Sequence, residues 1–162
     1  KVTVVPGRGA LGERVEIQAN TIAAKLAQAL GGKYRLLHAP DNLSRHALEE
    51  LVQEPGIAEV LALIHRSTIL VHGIGDALEM AARRQAPPER IAALEELNAA
   101  AETLGYYFNH QGQIVWQANS IGLGIDDLEN IKTVIVVAAH HKWNVLVTDQ
   151  GAAEAILQGP SV

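Results

Sequence analysis

Cysteine is absent from all 162 residues, which removes disulfides, thiol catalysis and thiolate metal sites together. Aromatic side chains are scarce, and Trp116 and Tyr106 read as core or interface rings rather than a cofactor box. No stretch approaches 18 apolar residues, and no basic-then-apolar leader is present; the chain therefore reads as cytoplasmic, with no membrane partner. An excess of positive charge is missing too. Lys plus Arg number 13 against 18 Asp plus Glu, a formal charge of −5, so the chain has no broad pull toward DNA, RNA or an acidic membrane. What remains is a globular composition, 48% apolar with 14 Gly and 6 Pro, of a size that suits one domain or a piece of one. The sequence opens on Lys1 directly in a strand-like run without a Met, so an upstream portion is expected.

Hydrophobic period places the elements. Val2 to Val5 is a β-branched run stopped by Pro6-Gly7, and a glycine-rich charged turn follows through Arg14. Ile22, Leu26 and Leu30 recur every four residues and predict a helix over 18–30, ended by Gly31-Gly32. Tyr34 to His38 is a second strand. Ser44 suits the cap of a helix to about Gln53, with Ala47, Leu48, Leu51 and Val52 on one face. After the break at Pro55-Gly56 a helix carries Ile57, Val60, Leu61 and Ile64. Thr68 to Val71 is a third strand that meets His72-Gly73-Ile74-Gly75, and a helix runs from Asp76 to Arg84. Pro87-Pro88 resets the chain for a helix over 89–100.

Beyond residue 100 the period changes. Tyr106-Tyr107-Phe108 and Ile114-Val115-Trp116 flank Asn109-His110-Gln111-Gly112, which predicts a β-hairpin. Asp126 to Asn130 is a short turn or helix, Thr133 to Ala138 and Asn144 to Thr148 are strands, and Asp149 caps a closing helix. Strands alternating with helices imply α/β architecture: a three-layer, Rossmann-like parallel sheet with a small antiparallel hairpin. One junction is short. About five residues join the strands at 133–138 and 144–148, whereas parallel neighbours need a crossover of about a dozen or more. Either the pair is antiparallel or residues are missing near 140–142, and the second is expected.

Ligands of open α/β sheets bind beyond the carboxyl ends of the strands, where 6–14, 72–76 and 138–142 fall. These segments bring glycines, free N–H groups and helix starts, a setting that takes anions. Arg8, Arg14, Arg83 and Arg84 lie in or near them, and a guanidinium grips phosphate with a planar fork. Two readings stand: a phosphate cradle, or turn glycines beside solvated arginines. Gly7-Arg8-Gly9-Ala10-Leu11-Gly12 has dinucleotide-fingerprint spacing, but the acidic residue about 20 positions on is absent from the next strand end, where His38 and Ala39 stand. No Gly-x-Ser-x-Gly elbow occurs, and the seven histidines show no metal-ligand spacing. His72 reads as a hydrogen-bonded structural histidine before an acid–base group. Glu102 is either an acceptor for sugar hydroxyls or ordinary helix-end solvation. Asp126 and Asp127, adjacent in sequence, are rejected as a hydrolytic carboxylate pair.

Six stretches occur together and in order: 6–12 (Pro-Gly-Arg-Gly-Ala-Leu-Gly), 18–22 (Gln-Ala-Asn-Thr-Ile), 34–37 (Tyr-Arg-Leu-Leu), 71–76 (Val-His-Gly-Ile-Gly-Asp), 105–109 (Gly-Tyr-Tyr-Phe-Asn) and 146–153 (Leu-Val-Thr-Asp-Gln-Gly-Ala-Ala). Over nearly the whole chain they resemble the effector-binding domain of the SorC/DeoR class of bacterial sugar-responsive transcription regulators. The resemblance implies a fold like phosphosugar isomerases, akin to glucosamine-6-phosphate deaminase, put to use for binding rather than catalysis.

Several expectations follow from the resemblance alone. The chain is the effector domain of a repressor of glycolytic genes, incomplete over 1–162, with operator DNA held by a separate N-terminal domain. The effector is a phosphorylated sugar, fructose-1,6-bisphosphate favoured, which alters the packing of a homo-oligomer (dimer or tetramer) and weakens operator binding. No catalytic residue, metal or cofactor is expected; the alternatives are a phosphosugar isomerase or deaminase on the same fold, or a regulator sensing another sugar phosphate. Arg8 looks like a phosphate ligand and Gln18 like a hydrogen-bonding partner at the next helix start. Gly73 and Ile74 would offer backbone groups, Arg83 a second basic clamp, and Glu102 an acceptor for sugar hydroxyls. The family's glycine-threonine-threonine phosphate loop has no counterpart here. After the strand at 133–138 the family has a glycine-rich loop, a lysine and a helix, where this chain has only His140-His141-Lys142, and Lys142 is left unassigned.

Overall fold

A computed structural model describes residues 1–10, 15, 18–40, 43–137 and 145–147, arranged as two units. The first unit comprises Lys1–Ser67 and Ala118–Asp127, the second Thr68–Gln117 and Leu128–Val162.

In the first unit, strand β1 (Thr3–Val4) pairs in parallel with β2 (Lys33–Tyr34), and helix α1 (Ala19–Ala29) connects them. The second strand is shorter than the predicted 34–38. Beyond Tyr34 a side chain takes over the ladder's role: the Asn20 amide gives its N–H to the Leu37 carbonyl and takes the Leu37 N–H, both at 3.0 Å. Leu37 is thereby fully buried with its backbone satisfied. Helix α1 exists where predicted and ends at Gly31, whose φ of +60° suits glycine. Its packed side is not the predicted one. Ala23 and Ala27 are buried, whereas Ile22 and Leu30 are 53% and 56% exposed. Small alanines let the helix lie close on β1 and β2, so the bulkier stripe faces outward.

Helix α2 (Arg45–Leu51) starts at the predicted cap, with the Ser44 hydroxyl accepting the Ala47 N–H at 3.3 Å. Helix α3 (Pro55–His65) buries Val60 and Ile64. The chain breaks between α2 and α3 as predicted, and Pro55-Gly56 itself opens the second helix, because proline at the first position gives up an N–H that has no partner there anyway.

The second unit holds a parallel sheet in the order β3 (Ile69–Gly73), β8 (Thr133–Val137), β9 (Val145–Val147), with the remaining strands of the unit between β3 and β8 in sequence. The β8–β9 pair is parallel, which decides against the antiparallel alternative. The residues joining them, 138–144, lie outside the described residues, as do Leu11 to Arg14, Asp41, Asn42 and the predicted helix after Asp149.

The antiparallel part is larger than the predicted hairpin. It has four strands in the order β4 (Gly75–Asp76), β5 (Ala99–Thr103), β6 (Tyr106–Asn109), β7 (Ile114–Gln117). Helix α4 (Ala77–Arg83) follows β4, and α5 (Pro88–Glu96) precedes β5. The predicted helix over 89–100 stops early because Asn98 takes a positive φ of 53°, and Ala99-Ala100-Ala101 continues as a strand. Alanine favours helix, but pairing with β6 overrides that weak preference. The β6–β7 turn is as expected: the Asn109 carboxamide oxygen accepts the Gln111 and Gln113 N–H groups, and Gly112 sits at φ +75°. Ala77, Ala81, Leu94 and Tyr107 form the core beneath this sheet.

Candidate functional site

The loop that carries Arg8 belongs to the first unit and is held by its backbone. Gly9 N–H donates to the Ile121 carbonyl and Ala10 N–H to the Ala39 carbonyl, each at 2.9 Å. Leu123 N–H donates to the Gly7 carbonyl at 2.8 Å, and Arg8 forms an antiparallel bridge with Gly122. Glycine is obligatory on the far side. Gly122 has φ +134°, and a Cβ there would fall 2.2 Å from the Gly7 oxygen. Arg8 thus projects from backbone fixed on both sides by 39–40 and 121–123. The second of these walls escaped sequence reasoning. Its signal was present in Ile121-Gly122-Leu123-Gly124, an alternation of apolar residues and glycine that suits an extended strap tight against another backbone. Gln18 is the N-cap residue of α1, and its carbonyl receives the Ile22 N–H; its side chain makes no capping bond to the helix.

The second unit brings the other candidates together. Strand β3 ends at Gly73, Ile74 turns the chain, and β4 lies against β5 with Gly75 opposite Glu102. The Asp76 carboxylate then caps α4 by accepting the Glu79 N–H at 2.8 Å. The turn and the carboxylate, 27 positions apart in sequence numbering (102 minus 75), therefore sit side by side.

Glu102 is on a strand, not at a helix end, and is only 3% exposed. Its Oε2 accepts from Arg84 at 2.9 Å and its Oε1 from the Gly105 N–H at 2.7 Å. Burial alone would weaken the Arg84 charge. The Glu102 hydrogen bond and negative charge, with the Tyr107 hydroxyl adding to them, outweigh it and hold the guanidinium above its usual range. Arg83, the expected clamp, instead points along the exposed face of α4 and pairs with Glu79, one turn back. The adjacent arginines are separated by their place on the helix: Arg84, the C-cap residue, turns inward and Arg83 outward.

His72 is the hydrogen-bonded structural histidine that the sequence suggests. Its Nδ1 lies 2.8 Å from the Thr103 hydroxyl, which in turn donates to the Gly73 carbonyl at 2.9 Å. Burial holds the ring's pKa below the usual 6.5, with the Gly73 backbone bond acting in the opposite sense. Asp127 serves a structural end: its two oxygens take the Gly124 N–H and face His65, in the first unit. Among the described residues no cluster of His, Asp or Glu is placed to hold a metal ion. No described helix is long and apolar enough to cross a membrane.

A mixed α/β chain with anion-suited turns after β1 and β3, and a buried carboxylate beside the second, has the character of a small-ligand-binding domain. Comparison with known proteins bears this out: a family model described as a "putative sugar-binding domain" matches residues 1–158, and the chain belongs to that family. Its relatives include transcriptional regulators, one of them of the SorC family by name. A protein from Enterococcus faecalis of known structure, described as a "putative SorC family transcriptional regulator", superposes with a TM-score of 0.86 at 40% identity, over 96% of this chain and 68% of that one. The central glycolytic genes regulator of Priestia megaterium is 43% identical over 172 residues, covering 97% of this chain and 50% of the relative. Its Bacillus subtilis counterpart is 42% identical over 167 residues, covering 95% and 49%. The chain thus spans about half the length of these curated relatives. All three are named as regulators rather than enzymes.

Proposed function

We propose that this chain is the effector-binding domain of a repressor of glycolytic genes, and that its effector is a phosphorylated sugar, fructose-1,6-bisphosphate in particular. The observation that carries this reading is the 43% identity to a central glycolytic genes regulator across 97% of the chain. The local geometry supports it. In the first unit, Arg8 on its clamped loop and Gln18 at the start of α1 are each of a type suited to a phosphate. In the second, Gly73 and Ile74 offer backbone groups at the carboxyl end of β3, Glu102 accepts a sugar hydroxyl, and Arg83 exchanges its exposed partner Glu79 for a phosphate. The exchange is cheap because an exposed i,i+4 ion pair contributes only about 0.3–0.5 kcal/mol.

Regulation then follows from differential affinity. The effector stabilises whichever arrangement of a homo-oligomer binds it better, and operator DNA, held by a separate N-terminal domain, is released as that arrangement gains population. Titration calorimetry tests the reading. Fructose-1,6-bisphosphate binds the unaltered chain more tightly than fructose-6-phosphate, and Arg8→Ala loses about 1–3 kcal/mol of binding, the contribution of a charged hydrogen bond. Equal affinity of Arg8→Ala and the unaltered chain removes Arg8 from the site.

A further inference from the structure

We propose that Nε2 of His72 accepts a hydrogen bond from a hydroxyl of the bound sugar phosphate, making His72 a specificity-determining residue of that site. The inference rests on the functional reading above for the class of ligand, and adds to it a contact that reading does not contain.

The protons of a three-membered chain decide which ring nitrogen is available. The Thr103 hydroxyl has one proton. The Gly73 carbonyl, 2.9 Å away, can only accept, so it takes that proton. His72 Nδ1, at 2.8 Å from the same hydroxyl oxygen, must then supply a proton of its own. The neutral ring is held as the Nδ1–H tautomer, and Nε2 keeps a lone pair. Among the described residues the ring's partners are the Thr103 hydroxyl, at Nδ1, and the Gly73 backbone, which also calls for a ring N–H. Burial disfavours the imidazolium and keeps that lone pair in place at neutral pH.

Position completes the argument. His72 is the penultimate residue of β3, at the carboxyl end of a parallel strand, where ligands of α/β sheets bind. Gly73 and Ile74 follow it directly. A group that only accepts calls for a donor. Phosphate oxygens at neutral pH are acceptors and are refused, whereas a sugar hydroxyl is taken. His72 therefore reads the sugar and not its phosphates.

Two substitutions split the ring's two roles, in the full chain. His72→Asn keeps an N–H near Nδ1 for Thr103 and has nothing at the Nε2 position. His72→Gln reaches the Nε2 position and gives up the bond to Thr103. We expect His72→Asn to weaken fructose-1,6-bisphosphate binding about 3–10-fold, with thermal stability and inorganic phosphate affinity unchanged. His72→Gln shows the reverse, lower stability with affinity largely kept. Full fructose-1,6-bisphosphate affinity in a folded His72→Asn overturns the inference. Should that variant fail to fold, the nitrogen resonances of histidine-labelled unaltered protein decide: the His72 Nε2 signal moves to lower frequency on saturation with fructose-1,6-bisphosphate, and an unmoved signal overturns the inference. Absence of any binding by the unaltered chain overturns the functional reading, and this contact falls with it. Binding that is lost in Arg8→Ala and kept in His72→Asn overturns this contact alone.

Discussion

Replacing Arg84 by methionine is the most demanding test of the cluster around Glu102. The substitution removes the guanidinium and roughly preserves the bulk of the stem. Glu102, 3% exposed, then retains the Gly105 N–H on Oε1 but loses the cation at Oε2. Breaking one half of a buried ion pair costs about 3–5 kcal/mol. The Arg84 side chain is 15% exposed, so water already reaches the guanidinium, and the low end of the range applies: about 3 kcal/mol. Urea unfolding measures it as a fall in the midpoint at constant slope. The double variant Arg84→Met with Glu102→Gln removes the stranded charge while its amide oxygen still accepts from Gly105, and recovers at least about 1 kcal/mol. A loss below about 1 kcal/mol in Arg84→Met, or a double variant no more stable than the single, refutes the view that this pair is buried and mutually dependent.

Other perturbations bear on other parts of the chain. Gly122→Ala forces a Cβ to within 2.2 Å of the Gly7 oxygen at an unfavourable φ of +134°, and should cost at least about 2 kcal/mol in urea unfolding while weakening effector binding through the displaced Arg8 loop. Asn20→Ala leaves the buried Leu37 N–H and carbonyl without their partner, a loss of about 1–3 kcal/mol that hydrogen exchange would report as faster exchange at the Leu37 amide. The His72 ring is held below its ordinary value of 6.5, so the unfolded chain binds more protons in that window. Its contribution to stability is complete above pH 6.5 and is lost as the pH falls through the lower folded value; His72→Asn should flatten that segment of the stability–pH curve.

Local signals made the helices and their caps legible. Ser44 caps where expected, the helix predicted from Asp76 starts there with Asp76 as its cap, and Gly31 and Gly112 terminate or turn the chain as their types demand. What failed was the choice of face and the choice between helix and strand where pairing is non-local. Ile22, Leu26 and Leu30 have the right period for a buried stripe, yet α1 packs through Ala23 and Ala27, because closeness of approach matters more there than side-chain hydropathy. Ala99-Ala100 reads as helix until pairing with β6 claims it. Within the candidate site, residue types named the chemistry, but partner choice depended on helical phase. Arg83 and Arg84 are equivalent in composition and differ by about 100° around α4, which sends one to Glu79 and the other to Glu102. The 121–124 strap was overlooked because it forms no regular element of its own, and its glycines acquire meaning only against the backbone of 7–9.

The way 118–127 returns to the first unit has a practical consequence for dissection. A fragment ending at Ser67 would omit Ile121 and Leu123, whose backbone groups hold Gly7 and Gly9, and Arg8 would be left on an unsupported arm. No single cleavage point yields both halves whole. An insertion between Ile121 and Leu123 would interrupt the brace itself, and should loosen the Arg8 loop even while the four-stranded antiparallel sheet survives.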